Sequence, residues 1–446
     1  MGVWRCLVAI RKRQLIGEAK ERLEQILEAR IDEERMTLDE IEAAVESVMR
    51  EVAEWVEARL IEEQQPARCN EAACQKCGNA SRFKRTMDAH VLTIHGLRRI
   101  PRRYYYCTAC RQGFCPMDGV LGLESGRDAT RLVRSWQAKY GSESAFAAVP
   151  ELLQELRGID ISASTVERTT IEVGKAVEAA ARDWEPGPPD RKGELVKERL
   201  YLSMDGTMTP LRDQWRRDGT LGKLACRYGE AKLGTVFQTL RKQGLDEGVA
   251  RRGCVGTMGD VAVFRKKLLE LAAQWRLGFV GELIVLADGA PWIWATVAEH
   301  FPTAIQILDY WHMTQHLWKV ANAMHSSNRE SAKAWVDEAQ RYLNRGMTHC
   351  FLGMVRSWQP AGEEAREIRR TELAFFETNA ERMRYETFLG KGYMIGSGTM
   401  ESTCRQVAAQ RLDRAGMHWR EEVADVVLAI RAHRSSTGAP PLTCYA

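Results

Sequence analysis

Apolar residues recur at three- and four-residue spacing through the first part of the chain, which predicts helices over residues 11–63. Thr37 and Glu40 have the spacing of a capping box, in which each side chain bonds to the backbone N–H of the other residue. The apolar stripe that follows this cap is formed by Ile41, Val45, Val48, Met49, Val52, Val56 and Leu60. Such a stripe can belong to a helix that mediates dimerisation or docking, or to a helix that packs against its own chain. Both interpretations stay open.

Further along the chain, apolar runs become short and alternate with helical patterns, which predicts an α/β core. The segments 200–204 and 282–287 are predicted strands that end on Asp205 and Asp288, and another predicted strand ends on Asp309. From there to about residue 390 the pattern is helical, so an all-helical insertion is expected within the core.

The resulting fold class is multidomain α+β: an RNase H-like α/β core with an all-helical insertion, preceded by helical, zinc-ribbon and helix-turn-helix modules. The predicted segments are a helical region for dimerisation or docking (1–66), a zinc ribbon (67–118), a helix-turn-helix-like region with a linker (119–190), the first part of the core (195–312), the insertion (313–392), the final part of the core (393–434) and a loose tail (435–446).

Composition limits the classes of protein to consider. The chain has 446 residues, of which 45% are hydrophobic and 28% charged, as in globular proteins of several domains. Its longest apolar runs are far shorter than the roughly 20 residues that a membrane-spanning helix requires, so no membrane association is expected. Twelve cysteines and no signal-peptide pattern predict a reducing cytoplasm, with metal binding favoured over disulfides.

Four of these cysteines form two Cys-x-x-Cys pairs, Cys74/Cys77 and Cys107/Cys110. Two such pairs can present four thiolates to a structural Zn²⁺, and the strand-like residues between them predict a hairpin that turns at residues 95–96. A zinc ribbon is therefore expected. An alternative stays open, because Cys74 and Cys77 also have the spacing of a Cys₂His₂ finger with His90 and His95.

The ribbon segment is basic, with ten Lys and Arg against three Asp and Glu over residues 68–118. Cations of this kind neutralise DNA phosphates, so the module is a candidate DNA contact. The candidate residues are Arg98, Arg99, Arg102 and Arg103.

A helix-turn-helix is predicted farther on. An apolar helical pattern ends near Leu156, Gly158 follows, and Ser and Thr residues then precede a second helical pattern. Recognition helices contact bases through their first residues, so Ser164, Thr165 and Arg168 are the candidate DNA contacts.

Three carboxylates are the candidate catalytic residues. Asp205 and Asp288 follow predicted strands, and Glu401 follows a glycine-rich turn at the start of a late helix. Three converging carboxylates can hold two divalent cations about 3.5–4 Å apart, the arrangement used for phosphodiester chemistry. Oxygen ligands and phosphate substrates favour Mg²⁺ or Mn²⁺.

Three more residues are expected beside this site. Asp309 and His312 are one helical turn apart, and they either support the carboxylates and contact DNA or form a structural pair. Arg405 is one turn after Glu401, so it is placed to reach a phosphate. Arg411 and Arg414 are expected to be exposed.

Four segments together resemble the motifs of bacterial DDE transposases of the ISKra-type branch, within the Mutator-like superfamily. They are residues 204–207, 287–292, 308–312 and 395–402, and residues 309–312 fit the superfamily's Cys/Asp-x-x-His motif. The resemblance implies binding of an insertion sequence's terminal repeats, DNA cleavage, and transfer of the 3′-hydroxyl end to target DNA. It also implies a homodimer or larger assembly in the bacterial nucleoid. The alternatives are a non-enzymatic DNA-binding protein derived from a transposase, and an RNase H-like nuclease without strand transfer.

Overall fold

The computed structural model describes residues 2–30, 35–64, 69–124, 126–189, 192–212, 226–325 and 328–446. It is a mixed α+β protein with two compact units. The first unit comprises residues 1–137 and 145–166, and the second comprises residues 138–144 and 167–446. None of the helices in the described ranges is long and apolar enough to cross a membrane.

The helices of the first unit, and the helix α6 that continues into the second, are α1 (Gly2–Arg30), α2 (Leu38–Glu63), α3 (Pro116–Leu121), α4 (Arg131–Gly141), α5 (Ala148–Arg157) and α6 (Ala163–Ala179). Those of the second unit are α7 (Val261–Gln274), α8 (Pro291–His300), α9 (Tyr310–Met324), α10 (Arg329–Asn344), α11 (Thr348–Ser357), α12 (Glu363–Thr378), α13 (Tyr385–Gly390), α14 (Gly398–Thr403), α15 (Gln410–Leu412) and α16 (Glu421–Arg434). The strands are β1 (Glu71–Ala73), β2 (Ala80–Thr93), β3 (Gly96–Cys107), β4 (Gln112–Phe114), β5 (Glu194–Leu195), β6 (Arg199–Arg212), β7 (Cys226–Lys242), β8 (Leu245–Thr257), β9 (Glu282–Ala287) and β10 (Ile305–Leu308).

Helix α2 begins at the predicted capping box. The Thr37 hydroxyl accepts from the Glu40 N–H at 3.4 Å, and the Glu40 carboxylate accepts from the Thr37 N–H at 2.8 Å. Along the stripe after this cap, Val48 is buried whereas Val45 and Met49 are exposed. Part of the stripe therefore packs within the chain and part of it faces solvent.

The first unit has an antiparallel sheet in the order β1-β2-β3-β4, in which two long strands, β2 and β3, are flanked by the short strands β1 and β4. Strands β2 and β3 are the predicted hairpin, which turns between Thr93 and Gly96. Near the turn of the hairpin there is a small core, in which Val91, Ile100 and Met117 pack with Ile61 of α2. This packing joins the sheet to its neighbouring helices within the unit.

The second unit contains a mixed sheet in the order β10-β9-β6-β7, with β8 on the far side of β7 and β5 beside the end of β7. Strands β6, β9 and β10 are parallel, whereas β7 is antiparallel to both β6 and β8. The first strand of the core was expected to end at Asp205. It continues to Arg212 instead, because β7 pairs with β6 along this whole length. Strand β8 was not predicted.

Helices cover this sheet and share one core with it. Ile307 and Leu308 of β10 belong to the same buried cluster as Leu317 of α9 and Phe376 of α12. In the described residues between 313 and 390 the chain forms helices and no strand, as the hydrophobic pattern predicts.

The C-terminal segment after α16 was expected to be loose, and this is wrong. Ser436 Oγ accepts from the Cys254 N–H at 2.8 Å, and the Thr437 N–H donates to the Arg252 carbonyl at 2.7 Å. Leu442 is buried against apolar residues of α6 and α16. The segment stays ordered because it supplies both edge hydrogen bonds and core side chains.

Candidate carboxylate site and cysteine cluster

The parallel register of the sheet brings the candidate aspartates to one edge. Leu202 of β6 lies opposite Val285 of β9, so Asp205 and Asp288 are each three residues beyond a paired position. Leu308 of β10 lies opposite the last residue of β9, which places Asp309 beside Asp288. In sheets of this kind, ligands bind beyond the carboxyl ends of the parallel strands.

Asp205 is mostly buried at this edge. One carboxylate oxygen accepts from the Gly206 N–H at 2.7 Å, and the other lies 3.5 Å from the Cys404 Sγ, whose thiol donates to it. Burial and the negative charge of Asp288 raise the pKa of Asp205 above its ordinary value. A carboxylate whose ionisation is opposed by burial and by a neighbouring carboxylate belongs to an anionic pocket that attracts a cation.

Asp288 also forms a local turn. Its Oδ1 accepts from the Ala290 N–H at 3.0 Å, two residues on, just before α8 begins at Pro291. This bond is typical of aspartate ahead of a helix, and it fixes the direction in which the carboxylate leaves the strand end.

Asp309 joins the sheet edge to the glycine-rich turn. It is fully buried; its Oδ2 accepts from the Ser397 N–H, and the Tyr310 N–H donates to the Ile395 carbonyl at 2.9 Å. A Cβ on Gly396 would lie 3.2 Å from the Trp311 ring nitrogen, so glycine permits a close approach here. The turn that leads to Glu401 is therefore held against the start of α9.

His312 is paired to the same aspartate. Asp309 Oδ1 accepts from the His312 backbone N–H at 2.7 Å and lies 2.9 Å from its Nδ1. The bond to Asp309 raises the pKa of His312 despite burial, and the charges of Asp288 and Asp205 raise it further. Burial opposes ionisation of Asp309, but hydrogen bonds from His312 and Ser397 outweigh it and lower its pKa. The protonated form of His312 is thus favoured next to the carboxylates.

Glu401 is exposed on α14, and its position relative to the aspartates follows from Cys404, one turn later. Burial raises the pKa of the Cys404 thiol, and the negative charges of Asp205, Asp288 and Glu401 raise it further. The Cys404 thiol donates to Asp205 at 3.5 Å, so the helix that carries Glu401 passes beside Asp205. Sequence analysis missed Cys404; the only available indication was its three-residue spacing from Glu401 on a helix.

Behind Glu401 the helix contains a π turn over residues 404–409. Such a turn inserts an extra residue and rotates the part of the helix that comes after it. Arg405 lies near the start of the π turn and is exposed.

Arg411 was expected to be exposed, and this is wrong. It is 1% exposed, donates to the Gly141 carbonyl and stacks over the Trp419 ring at 4.3 Å. Burial lowers its pKa to about 10.

A surface groove of about 760 Å³ adjoins the glycine-rich turn. Its walls include Arg252 and Arg434, and Thr399 and Ser402 from α14. Trp311 also lines it and is 59% exposed, although large aromatic side chains are usually covered. The groove therefore combines cationic, hydroxyl and aromatic groups beside the candidate carboxylates.

The cysteine cluster lies in the first unit. Cys74, Cys77, Cys107 and Cys110 have sulfur atoms that all lie within 4.8 Å of one another. No other group of three or more His, Cys, Asp or Glu among the described residues is as tight, so Asp205, Asp288 and Glu401 are spread more widely than the four thiols. The cluster can bind a structural metal such as Zn²⁺, which prefers four thiolates in closed sites.

The electrostatics of the cluster suit a metal site. The backbone N–H of Cys110 lowers the pKa of the Cys107 thiol to about 6, whereas burial and the neighbouring sulfurs raise that of Cys110 to about 12. A bound cation would favour the thiolate form of all four. His90 and His95 do not belong to this group, so the geometry does not support the finger alternative.

Comparison with known proteins gives a family. The sequence profile of an uncharacterised protein family, UPF0236, matches residues 31–439. The chain belongs to UPF0236. No curated protein matches it. Among solved structures it is similar to a chain of a Drosophila P element transposase strand transfer complex, with 11% identity, 70% of this chain and 80% of that chain covered, and a TM-score of 0.24.

Three of the four predicted DNA-binding arginines of this UPF0236 chain are engaged in internal ion pairs. Arg98 donates to Glu57 of α2 at 2.6 Å, and Arg102 donates to both carboxylate oxygens of Asp118 at 2.7 and 2.8 Å. Arg103 lies over the Phe83 ring at 3.9 Å. Only Arg99 is largely exposed, and it pairs with Asp88. Arg98 and Arg102 therefore stabilise the unit, and the DNA-binding role of the four arginines stays a prediction.

The predicted helix-turn-helix corresponds to α5 and α6. Helix α5 ends at Gly158, which is in the left-handed conformation with φ +65°. The Thr165 N–H then donates to Ser162 Oγ at 3.1 Å, so Ser162 is the N-terminal cap of α6. Ser164 and Arg168 are exposed and Thr165 is half-buried. The boundary between the two units falls within α6.

Proposed function

We propose that this protein is a DDE transposase of the ISKra-type branch of the Mutator-like superfamily. The observation that carries the proposal is that Asp205 and Asp288 follow the paired residues of two parallel strands, and that Asp205 accepts from the Cys404 thiol, one helical turn after Glu401. Three carboxylates that gather there from two strand ends and a late helix have the composition of a site for phosphoryl transfer.

The sheet supports an RNase H-like assignment of the core. When strands β6 to β10 are renumbered 1 to 5 in chain order, their order in the sheet is 3-2-1-4-5. Only the second of them, β7, is antiparallel to its neighbours. The helical region α9–α13 stands between the second aspartate and Glu401, where the resemblance implies an insertion. Because one fold can host many functions, the functional claim rests on the site.

The residues fit Mg²⁺ or Mn²⁺. Asp205, Asp288 and Glu401 offer oxygen ligands, and the raised pKa of Asp205 reflects an anionic pocket that a divalent cation would stabilise. Bound there, two such ions supply an activated water and neutralise charge on phosphate oxygens. In the proposal Asp309 fixes the orientation of His312, whose cationic ring faces the reacting phosphate, and Arg405 reaches an adjacent phosphate on the same strand.

Two chemical steps follow. Water attacks the phosphorus of a phosphodiester at the end of the element, and the P–O3′ bond breaks to leave a 3′-hydroxyl and a 5′-phosphate. That 3′-hydroxyl then attacks a phosphodiester of the target DNA, forms a new P–O bond and displaces the target strand's 3′-oxygen, which leaves as a hydroxyl. The exposed Trp311 and the groove beside it are suited to DNA next to the reacting bond. End recognition is assigned to the zinc-bound ribbon and to Ser164, Thr165 and Arg168 of α6. Joining of two ends requires a homodimer or larger assembly, acting in the bacterial nucleoid.

The test is cleavage and joining of DNA that carries the element's own ends, in Mg²⁺ and in Mn²⁺. The wild type should cut and join, and Glu401→Gln should do neither while binding the same DNA. Glu422→Gln, at an exposed glutamate of α16, is the matched control and should retain activity. Binding without cleavage by the wild type would favour a non-enzymatic DNA-binding protein, and cleavage without joining would favour a nuclease. Equal activity of Glu401→Gln would refute the carboxylate assignment.

A further inference from the structure

One face of the ribbon carries exposed cations that sequence analysis did not select. Arg82 and Arg85 on β2 are exposed, and so is Lys84 between them. They lie near the cysteine cluster in the chain, at the opposite end of β2 from the turn at residues 94–95. Their position therefore differs from that of Arg98 and Arg99, which lie beside the turn.

Strand register assigns two of these cations to a common face with two tyrosines. Arg82 is opposite Tyr106, and Arg85 is opposite Tyr104, with an irregularity in pairing between residues 83 and 85. Directly opposed residues of antiparallel strands point to the same side of the sheet. The Arg85 guanidinium lies 5.8 Å from the centre of the Tyr104 ring. We call Arg82, Arg85, Tyr104 and Tyr106 the basic ribbon face.

The other side of the same sheet is occupied by internal contacts. Phe83 and Tyr105 pack edge to face at 6.0 Å, and Tyr105 stacks with Phe114 at 5.9 Å. Arg103 points to this side and lies over Phe83. The two sides of the ribbon thus differ in kind: one is packed with aromatic rings, and the other presents cations and phenols.

The cations of the basic ribbon face have no carboxylate partner among the described residues. Glu71 is across from Arg82 on β1, but no ion pair joins them. This contrasts with Arg98 and Arg102, each bound to a carboxylate in the same unit. A single exposed charge is usually just solvated, but three cations within four residues create a local positive potential that attracts a polyanion.

We propose that the basic ribbon face, with Lys84, binds the phosphate backbone of duplex DNA. The inference rests on the proposed DNA-binding function and assigns the residues that make the contact. Arginine and lysine provide charge, and the tyrosine hydroxyls provide donors to phosphate oxygens, which are the usual contacts that position a protein on DNA. Such contacts do not read base sequence, so this face orients the protein and leaves sequence recognition to other residues.

The cysteine cluster adjoins the two strands that carry the basic ribbon face. Cys107 directly follows Tyr106 on β3, and Cys77 leads into β2 three residues before its first residue, Ala80. A metal bound by the four thiolates would fix the ends of both strands and so hold the cations in register. Loss of the metal should therefore weaken DNA binding even though no cysteine contacts DNA.

The experiment measures the affinity of the full-length protein for a labelled duplex over a series of salt concentrations. The logarithm of the binding constant falls with the logarithm of salt by about 0.9 for each phosphate contact. Arg82→Gln/Arg85→Gln should therefore reduce the slope by about 1.8 and weaken binding to specific and unrelated duplexes alike. Arg82→Lys/Arg85→Lys should retain the wild-type slope.

Arg50→Gln/Arg131→Gln is the matched control. It removes the same charge from two exposed arginines of the first unit that are already paired with carboxylates, so the slope should stay within about 0.5 of the wild-type slope. Zinc content and the thermal unfolding of both double variants are compared with the wild type, so that a folding defect is recognised.

The outcomes separate this inference from the proposed function. If the wild type binds DNA and Arg82→Gln/Arg85→Gln keeps its slope and affinity while remaining folded, the inference is overturned and the proposed function stands. If the control variant reduces the slope as much as Arg82→Gln/Arg85→Gln does, the effect does not depend on the basic ribbon face, and the inference is also overturned. If the wild type binds no DNA, the proposed function fails first. A loss of binding only to single strands would contradict duplex recognition.

Discussion

Replacement of Asp309 by asparagine tests how the candidate site is held together. Asp309 is fully buried and accepts three hydrogen bonds: from the His312 N–H at 2.7 Å, from His312 Nδ1 at 2.9 Å and from the Ser397 N–H. Asparagine has nearly the same shape, but it has one oxygen, and its amide N–H₂ would face a donor. At least one buried donor would therefore lose its acceptor.

The magnitude follows from these contacts. Hydrogen bonds to charged groups contribute about 1.5–3 kcal/mol each, and an unsatisfied buried donor costs about 1–3 kcal/mol. The loss of one such bond, with the others weakened, should lower the local stability of the glycine-rich turn by about 3 kcal/mol. The measurement is hydrogen–deuterium exchange of residues 393–400 in the second unit, without added Mg²⁺ or Mn²⁺ and after correction for intrinsic exchange.

The same pair predicts a dependence on pH. The pKa of His312 is raised above its ordinary value of 6.5, so its stabilising contribution is complete below that value and is lost as pH rises through the folded-state pKa. The pKa of Asp309 is lowered from 3.8, so its contribution is present above 3.8 and is lost only when pH falls through the folded-state pKa. Between about pH 6 and 9 the wild-type turn should therefore become less stable, and Asp309→Asn should respond much less.

Asp246→Asn is the control for this experiment. Asp246 is also a buried aspartate of the second unit, bound to Arg199 at 3.0 Å and Tyr201 at 2.7 Å. Its loss should destabilise the sheet without changing the pH response of the turn, because arginine stays protonated throughout this range. The reasoning is refuted if Asp309→Asn matches the wild type in stability and pH response, or if Asp246→Asn removes the response equally.

Three further predictions concern other parts of the chain. Cys107→Ser should lower bound zinc, measured by atomic absorption, and destabilise residues 69–118; unchanged zinc would favour the finger that uses His90. Arg411→Met should lower the thermal stability of the second unit, because two hydrogen bonds to the Gly141 carbonyl and a stacked guanidinium are lost, although methionine's lower desolvation cost limits the effect to about 1–3 kcal/mol; a stabilised variant would contradict it. Thr37→Ala should cost about 1 kcal/mol in the stability of α2, measured by hydrogen exchange, whereas Thr86→Ala, at an exposed residue of β2, should leave α2 unchanged.

Features that depend on nearby residues were predicted well from the sequence. The capping box at Thr37 and the β2–β3 hairpin follow from local spacing and turn chemistry, and the structure confirms them. The pairing of two Cys-x-x-Cys motifs into one cluster follows from the geometry of a metal site. Asp205 and Asp288 could be placed at one edge because short apolar runs define the parallel strands that precede them.

Tertiary structure decided the features that depend on residues far apart in the chain. Strand β6 passes Asp205 because β7 pairs with it, a contact that alternation along β6 alone does not specify. Arg98 pairs with Glu57, 41 residues away in the chain, so it could not be distinguished from an exposed arginine by sequence. Arg411 is buried because it packs against the Gly141 carbonyl and the Trp419 ring, neither of which adjoins it in the chain. The sequence thus specified which chemical groups are present and their local frames, and long-range packing determined which of them remain exposed to bind a partner.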